Sequence, residues 1–153
     1  MVSLNFFYKT VATFGGVGYF PVAPGTAATA VGVGLFYLLG GAFLPCLLAI
    51  LAFFAVGVMA SGHVEKSLNQ KDPGIVVIDE IVGVLISLAG LPLTWPVALS
   101  GFFLFRAFDM FKIYPVNRLE AIPGGWGIML DDVMAGVYTN IVLRVALYFA
   151  IGH

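Results

Sequence analysis

Charge is what this chain has least of. Its seven basic and eight acidic residues make up only 10% of 153 positions, where a soluble domain carries roughly 25%. Apolar residues reach 61%, more than one soluble core of this size can hide, because a small domain leaves much of its surface exposed. Disorder is excluded and a soluble enzyme is disfavoured. A formal net charge of −1 supplies no basic field for nucleic acid. The single cysteine, Cys46, lies in an apolar run, so it offers no disulfide framework and points to no redox compartment. The stretch from Met1 to Lys9 has neither a basic lead-in nor a cleavage site and does not read as a signal peptide. The composition is that of an integral membrane protein.

The distribution of the charges carries more information than their scarcity. None occurs from Thr10 to Val64 or from Ile81 to Phe105, and all but Lys9 and Arg144 fall in two segments. A membrane-crossing helix needs about 20 mostly apolar residues. The first charge-free stretch has room for two, near Gly25–Leu39 and Phe43–Ser61, joined at Gly40-Gly41. The second supplies Val76–Leu91 and, after Leu91-Pro92-Leu93, Thr94–Phe111. A fifth runs from Asp131 to Ile151. The runs do not alternate as barrel strands would. The expected fold is all-α: a polytopic membrane helical bundle of about five transmembrane or membrane-embedded helices. With the N-terminus in the cytoplasm, Lys9, Lys66, Lys71, Lys112 and Arg118 all lie on the cytoplasmic side, as basic residues near span ends tend to. Arg144, inside the last helix, is left over and is expected to reach toward a polar group or the outer interface.

This threading gathers three polar clusters on one face. Asp72-Pro-Gly is a turn signal, and Asp79-Glu80 then open an apolar helix. Adjacent helical residues point about 100° apart, so the pair would need local adjustment to serve one small ion. Adjacent acids at membrane depth with no base in the same turn suggest function rather than packing. In Arg106-Ala-Phe-Asp109-Met-Phe-Lys112, spacing by three puts two cations and an acid along one helical face, suited to a phosphate. The alternative is an interfacial ion pair, worth little by itself. In Gly124-Gly-Trp-Gly-Ile-Met-Leu-Asp131-Asp132, a glycine-rich loop that could approach a phosphate closely precedes paired acids that would repel one. A divalent cation between them removes the conflict, and Asp79, Glu80, Asp131 and Asp132 are oxygen ligands of the kind that suits Mg²⁺. Ala135-Gly136 reads as close helix packing. His63 and the tryptophans Trp95 and Trp126 read as interfacial residues.

These motifs, in this order from about Gly15 to Tyr138, resemble the phosphatidylglycerophosphatase A family. They are Pro24-Gly25-Thr26-Ala27, the Asp72 to Gly83 block, Phe105-Arg106-Ala107-Phe108-Asp109 through Lys112 and Pro115, and Gly124 to Gly136. The chain departs from the family pattern in three places. Ala28 and Thr29 stand where Gly and Ser are usual, Ile113 replaces the first proline of a Lys-Pro-x-Pro, and Glu120 stands where an Asp is usual.

The resemblance implies one membrane-embedded phosphatase domain over residues 1–153, in the bacterial inner (cytoplasmic) membrane with its active site on the cytoplasmic face. It implies Mg²⁺-dependent hydrolysis of phosphatidylglycerophosphate, a lipid substrate held in the bilayer, to phosphatidylglycerol and phosphate. Asp79, Glu80, Asp131 and Asp132 are the expected catalytic and metal-holding acids, with Asp72 and Asp109 in support. Arg106 and Lys112 are the expected phosphate-side cations, and Thr26, Gly124 and Gly125 could add donors. The competing reading is a small ion- or proton-coupled transporter built on the same acids. That reading asks for polar residues across the whole bilayer, and the outer halves of the first four spans are almost wholly apolar.

Overall fold

A computed structural model describes residues 2–151, and every regular element among them is helical. The elements are α1 (Val2–Ala12), a 3₁₀ turn at Val17–Tyr19, α2 (Pro24–Leu38), α3 (Phe43–Leu68), α4 (Ile78–Leu88), α5 (Trp95–Phe111), α6 (Val116–Leu119) and α7 (Gly125–Ile151). Local chemistry explains several boundaries. Pro24 and Pro96 sit in the first turns of α2 and α5, where proline's missing N–H is no loss and its φ is already helical. α4 stops before Gly90, which holds φ +70°, a conformation that suits glycine.

All five expected spans have a helix, yet they are not equal. α3 and α7, with 26 and 27 residues, reach about 40 Å at ~1.5 Å per residue. They alone among the described residues are long and apolar enough to cross a membrane unaided. α2, α4 and α5 have 15, 11 and 17 residues. α7 also starts six residues earlier than the sequence reading placed it, at Gly125. The expected glycine loop is therefore largely the helix's first turn, with Gly124 at φ +76° as its entry. The small α1 and α6 were not expected.

α4 is the central post. Nine of its eleven residues are buried, and beyond the acids of its first turn only Ser87 is polar, as suits a helix enclosed by others. Val77, Ile81, Val84, Leu85 and Leu88 face one apolar core shared with α2, α5 and α7. Ile78 and Val82 face a second core built with α1, α3 and α7. Backbones approach closely where α4 and α7 cross. A Cβ on Gly136 would collide with the carbonyl oxygen of Gly83, and one on Gly83 would meet the Phe105 ring and lie 3.0 Å from the carbonyl of Asp132. Without lipid-excluding hydrophobic force inside a bilayer, such small-residue contacts drive helix association.

At the far end of α4, α7 closes the helix with side chains. The Asn140 amide donates to the carbonyls of Ile86, Ser87 and Ala89 at 3.0–3.1 Å. Arg144 donates to Asn140 Oδ1 at 2.7 Å and to the Ala89 carbonyl at 3.1 Å. Arg144 thus reaches a polar group, as its position within an apolar helix required. The last carbonyls of a helix lack partners of their own, so this pair finishes α4. Asn140→Leu is expected to cost about 1–3 kcal/mol of stability by removing the side-chain donor to the Ile86 and Ser87 carbonyls, read as a lower unfolding temperature of the detergent-solubilised protein.

Candidate active site

Asp79, Glu80, Arg106, Asp109, Lys112, Asp131 and Asp132 converge at the other end of α4, in a notch framed by α2, α4, α5 and α7. Asp79 and Glu80 occupy the first turn of α4. Asp79 stands one turn before Gly83, which faces α7. Glu80 stands one turn before Val84, which faces Gly32 of α2. Their divergence therefore aims them at two walls of one notch. Asp132 likewise stands one turn before Gly136, so the glycine crossing sets the distance between the acids of α4 and those of α7.

The carboxylate oxygens form two overlapping groups. Asp79, Glu80 and Asp132 each offer one oxygen with all three within 4.8 Å of one another; Asp109, Asp131 and Asp132 do the same. Asp79, Asp131 and Asp132 are 7%, 3% and 2% exposed. Asp79 Oδ1, Glu80 Oε2 and Asp132 Oδ2 are buried and have no hydrogen-bond partner. Stranded carboxylate oxygens are costly. Their presence together is the chemistry of a cation site, and the all-oxygen donor set fits a hard divalent ion.

Two cations border the acids. Arg106, near the end of α5, contacts Asp109 at 2.6 Å and Glu80 at 3.7 Å. Lys112 ends α5 in the left-handed conformation, φ 46°. That turn aims its ammonium at Asp131 and Glu120, both at 3.0 Å, rather than continuing the face of Arg106 and Asp109. Burial alone would lower the Lys112 pKa, but its hydrogen bonds and charge contacts with Asp131 and Glu120 more than reverse this, and it stays above the ordinary lysine value. Asp72, in the turn before α4, is pushed up by burial; Lys112 offsets part of that, while Glu120 and Asp109 add to it.

Thr26 lies in the first turn of α2, beside Gly25, whose missing side chain leaves room for Glu80 and Arg106. Gly124 and Gly125 sit elsewhere. Gly125 packs on the backbone of Val58 and on Gly62 of α3, and both glycines line a cleft with Tyr8, His63, Lys66 and Trp126. Trp95 and Trp126 are exposed, at 66% and 54%. Sequence reasoning passed over Gly25 as a close approach, Glu120 as a partner of Lys112 and Asn140 as a helix cap. The Pro-Gly start of α2 was the available signal for the first; nothing local marked the other two.

The sequence model of the family described as phosphatidylglycerophosphatase A matches residues 10–147. A Bacteroides thetaiotaomicron protein named "Putative phosphatidylinositol-3-phosphatase" is 39% identical over 153 residues, covering 93% of this chain and 94% of its own. Phosphatidylglycerophosphatase A of Escherichia coli K12 is 35% identical over 143 residues, 90% of this chain and 79% of the relative. The Haemophilus influenzae protein of the same name is 38% identical over 140 residues, with 88% and 85% covered. No solved structure gives a significant match. The class is phosphatase, a hydrolase of phosphoric monoesters. Within that class, the chain belongs to the phosphatidylglycerophosphatase A family. The relatives are named as phosphatases, so the transporter reading gains nothing from them.

Proposed function

We propose that the protein removes the terminal phosphate of phosphatidylglycerophosphate, yielding phosphatidylglycerol and inorganic phosphate, with Mg²⁺ as cofactor. The observation that carries this reading is the set of buried, unpartnered carboxylate oxygens on α4 and α7 beside Arg106 and Lys112, in a chain of this family.

Asp79, Glu80, Asp131 and Asp132 would hold the ion, with Asp72 and Asp109 in support. Bound there, Mg²⁺ would polarise the phosphoryl group and acidify a nearby water. Asp79 or Glu80 orients the attacking water and takes its proton. The water oxygen forms the new P–O bond, the bond to the glycerol oxygen breaks, and that oxygen leaves with the proton the carboxylate took from the water. Arg106 and Lys112 offset charge on the phosphoryl oxygens. The Thr26 hydroxyl at the start of α2 is a further donor; the cleft position of Gly124 and Gly125 makes them the weaker candidates for phosphate contact.

The chain acts as one domain in the bacterial inner membrane. α2, α3, α4, α5 and α7 are its five embedded helices, its N-terminus is cytoplasmic and its site opens on the cytoplasmic face. Lys9, Lys66, Lys71, Lys112 and Arg118 support that orientation. The diacylglycerol anchor then stays in lipid while the phosphomonoester sits at headgroup depth, where the charges gather.

The name of the Bacteroides relative supplies a second candidate, phosphatidylinositol 3-phosphate. Phosphate release from each lipid in detergent separates the two. Release from phosphatidylglycerophosphate that needs Mg²⁺ and stops on chelation is the expected result. Preferential turnover of the inositol lipid overturns the substrate, and full activity in chelator overturns the metal. Arg106→Gln is expected to lower kcat/KM on the order of 10²-fold or more, the scale on which one charge-stabilising donor acts.

A further inference from the structure

We propose that Arg144 binds the phosphate of an anionic phospholipid, at the end of the bundle opposite the acidic notch. The proposal depends on the chain lying in a bilayer and not on the chemistry of the notch.

Arg144 is a cation without a counter-charge. No Asp, Glu, Lys or Arg occurs from Thr10 to Val64 or from Ile81 to Phe105, and between Val133 and Ile151 Arg144 stands alone. Those stretches supply α2, most of α3, the far part of α4, the turn into α5 and the far end of α7. The nearest acid on α7 is Asp132, twelve residues back, or about 18 Å along the axis. Among the described residues, the ion pairs are made by Arg106 and Lys112. Arg144 is exposed, so in a bilayer its charge faces lipid, where an unpaired cation is costly.

Closing the end of α4 does not account for that charge. The Asn140 amide already meets three carbonyls, and a neutral donor could supply the further bond to Ala89. A guanidinium has five N–H donors. Arg144 spends one Nε–H on Asn140 and one Nη2–H on Ala89. The remainder form a planar fork of the kind that grips two phosphate oxygens.

Its posture matters as much as its charge. Long cations in membrane helices usually extend toward the interface and keep the charge in water. Arg144 bends the other way, because its Nε bond reaches one turn back toward the notch. The charge is thereby held about 10 Å below the level of Ile151, and an anion has to come to it. Gly90 keeps the approach open: a Cβ there would lie 2.9 Å from Arg144 Nη2.

Two hollows meet at the guanidinium. The inner one, about 270 Å³, runs back toward the notch between α3, α4 and α7, past Leu47, Ile50, Ile86 and Val137. The outer one, about 420 Å³, lies over Gly90-Leu91-Pro92 and against Leu147 and Ile151. A phospholipid is divided in the same order. An acyl chain fills the inner hollow, the phosphate sits on Arg144 and the headgroup takes the outer hollow. A headgroup ammonium would find no carboxylate there, which favours an anionic headgroup. Basic pockets between membrane helices hold anionic lipid heads on the same terms.

The test uses the full-length protein, delipidated in detergent and treated with phenylglyoxal, which modifies arginine. Modification of Arg144 is followed by peptide mass spectrometry. Dioleoylphosphatidylglycerol is expected to slow it severalfold, and dioleoylphosphatidylcholine to slow it less. Dioleoylglycerol, which has the chains without the phosphate, and inorganic phosphate should leave the rate unchanged. An unchanged rate with phosphatidylglycerol overturns the proposal, as does equal protection by dioleoylglycerol. Protection by inorganic phosphate overturns the lipid as the source, and equal protection by phosphatidylcholine overturns the headgroup preference. Native mass spectrometry is the second readout: Arg144→Gln should retain one phosphatidylglycerol fewer per chain, and Arg144→Lys should retain it. Equal retention in Arg144→Gln also overturns the assignment. The protection experiment is read on the unaltered chain, so a variant that fails to fold does not shield the proposal.

Discussion

Asp132→Asn is expected to lower kcat by at least about 10²-fold while leaving the helical content of the solubilised protein intact. Groups that merely support a metal ligand are worth 10–100-fold, and Asp132 belongs to both carboxylate groups. Its Oδ2 has no hydrogen bond to lose, so the amide removes charge without breaking a protein contact. Glu120→Gln is the contrast. Glu120 also meets Lys112 at 3.0 Å, but its side chain is 36% exposed. Exposed pairs contribute about 0–1 kcal/mol, which limits the loss to roughly fivefold. Phosphate release measured on both variants separates the readings: equal losses would mean that the acids act as a diffuse charge field rather than as placed ligands.

The second large effect is expected at the helix crossing. Gly136→Val places two methyl groups where even a Cβ would strike the carbonyl oxygen of Gly83. Backbone cannot move aside as a side-chain tip can, so α4 and α7 must separate. Overpacking of this kind costs about 1–3 kcal/mol, which lowers the unfolding temperature by roughly 2–12 °C for a chain of this size. Activity should fall further than stability suggests, because the crossing lies one turn from Asp79 and Asp132 and sets their spacing. Gly34→Ala is the matched control. Gly34 is helical and faces open space, so alanine there should be neutral or stabilising by about 0.4–1 kcal/mol. A Gly136→Val protein with unchanged melting and unchanged turnover would show that the crossing is looser than drawn.

Much of the site was legible because it is written in local pattern. Paired acids that open apolar helices, as Asp79-Glu80 do, stand out against a chain with so little charge. Arg106 and Asp109 were readable as neighbours from their spacing of three. The partner of Lys112 was not: its reach to Asp131 depends on a left-handed residue at the end of α5, which spacing treats as one more helical step. The glycine cluster misled in part. Gly124 to Gly127 has the composition of a phosphate loop, yet Gly125 is small because α3 passes against it. Composition alone does not distinguish room for a ligand from room for a helix. Asn140 was invisible for another reason. Its role exists only because α4 is short, and helix length is set by where Gly90 and Pro92 end it in three dimensions.

The shortness of α4 has a consequence for the lipid environment. A helix of 11 residues with nine buried touches the bilayer scarcely at all, and α7 grips it at both the glycine crossing and the Asn140 clamp. Bilayers of different thickness act on lipid-facing helices by tilting or stretching their surroundings. Here the exposed apolar side chains belong to the helices around α4, such as Leu38 of α2, Leu48 of α3, Phe103 of α5 and Val145 of α7, and α4 offers almost none. Turnover is therefore expected to change little across vesicles of differing acyl-chain length, even where the protein's resistance to unfolding does change. Asp79 and Glu80 thus stand on a strut that other helices wrap.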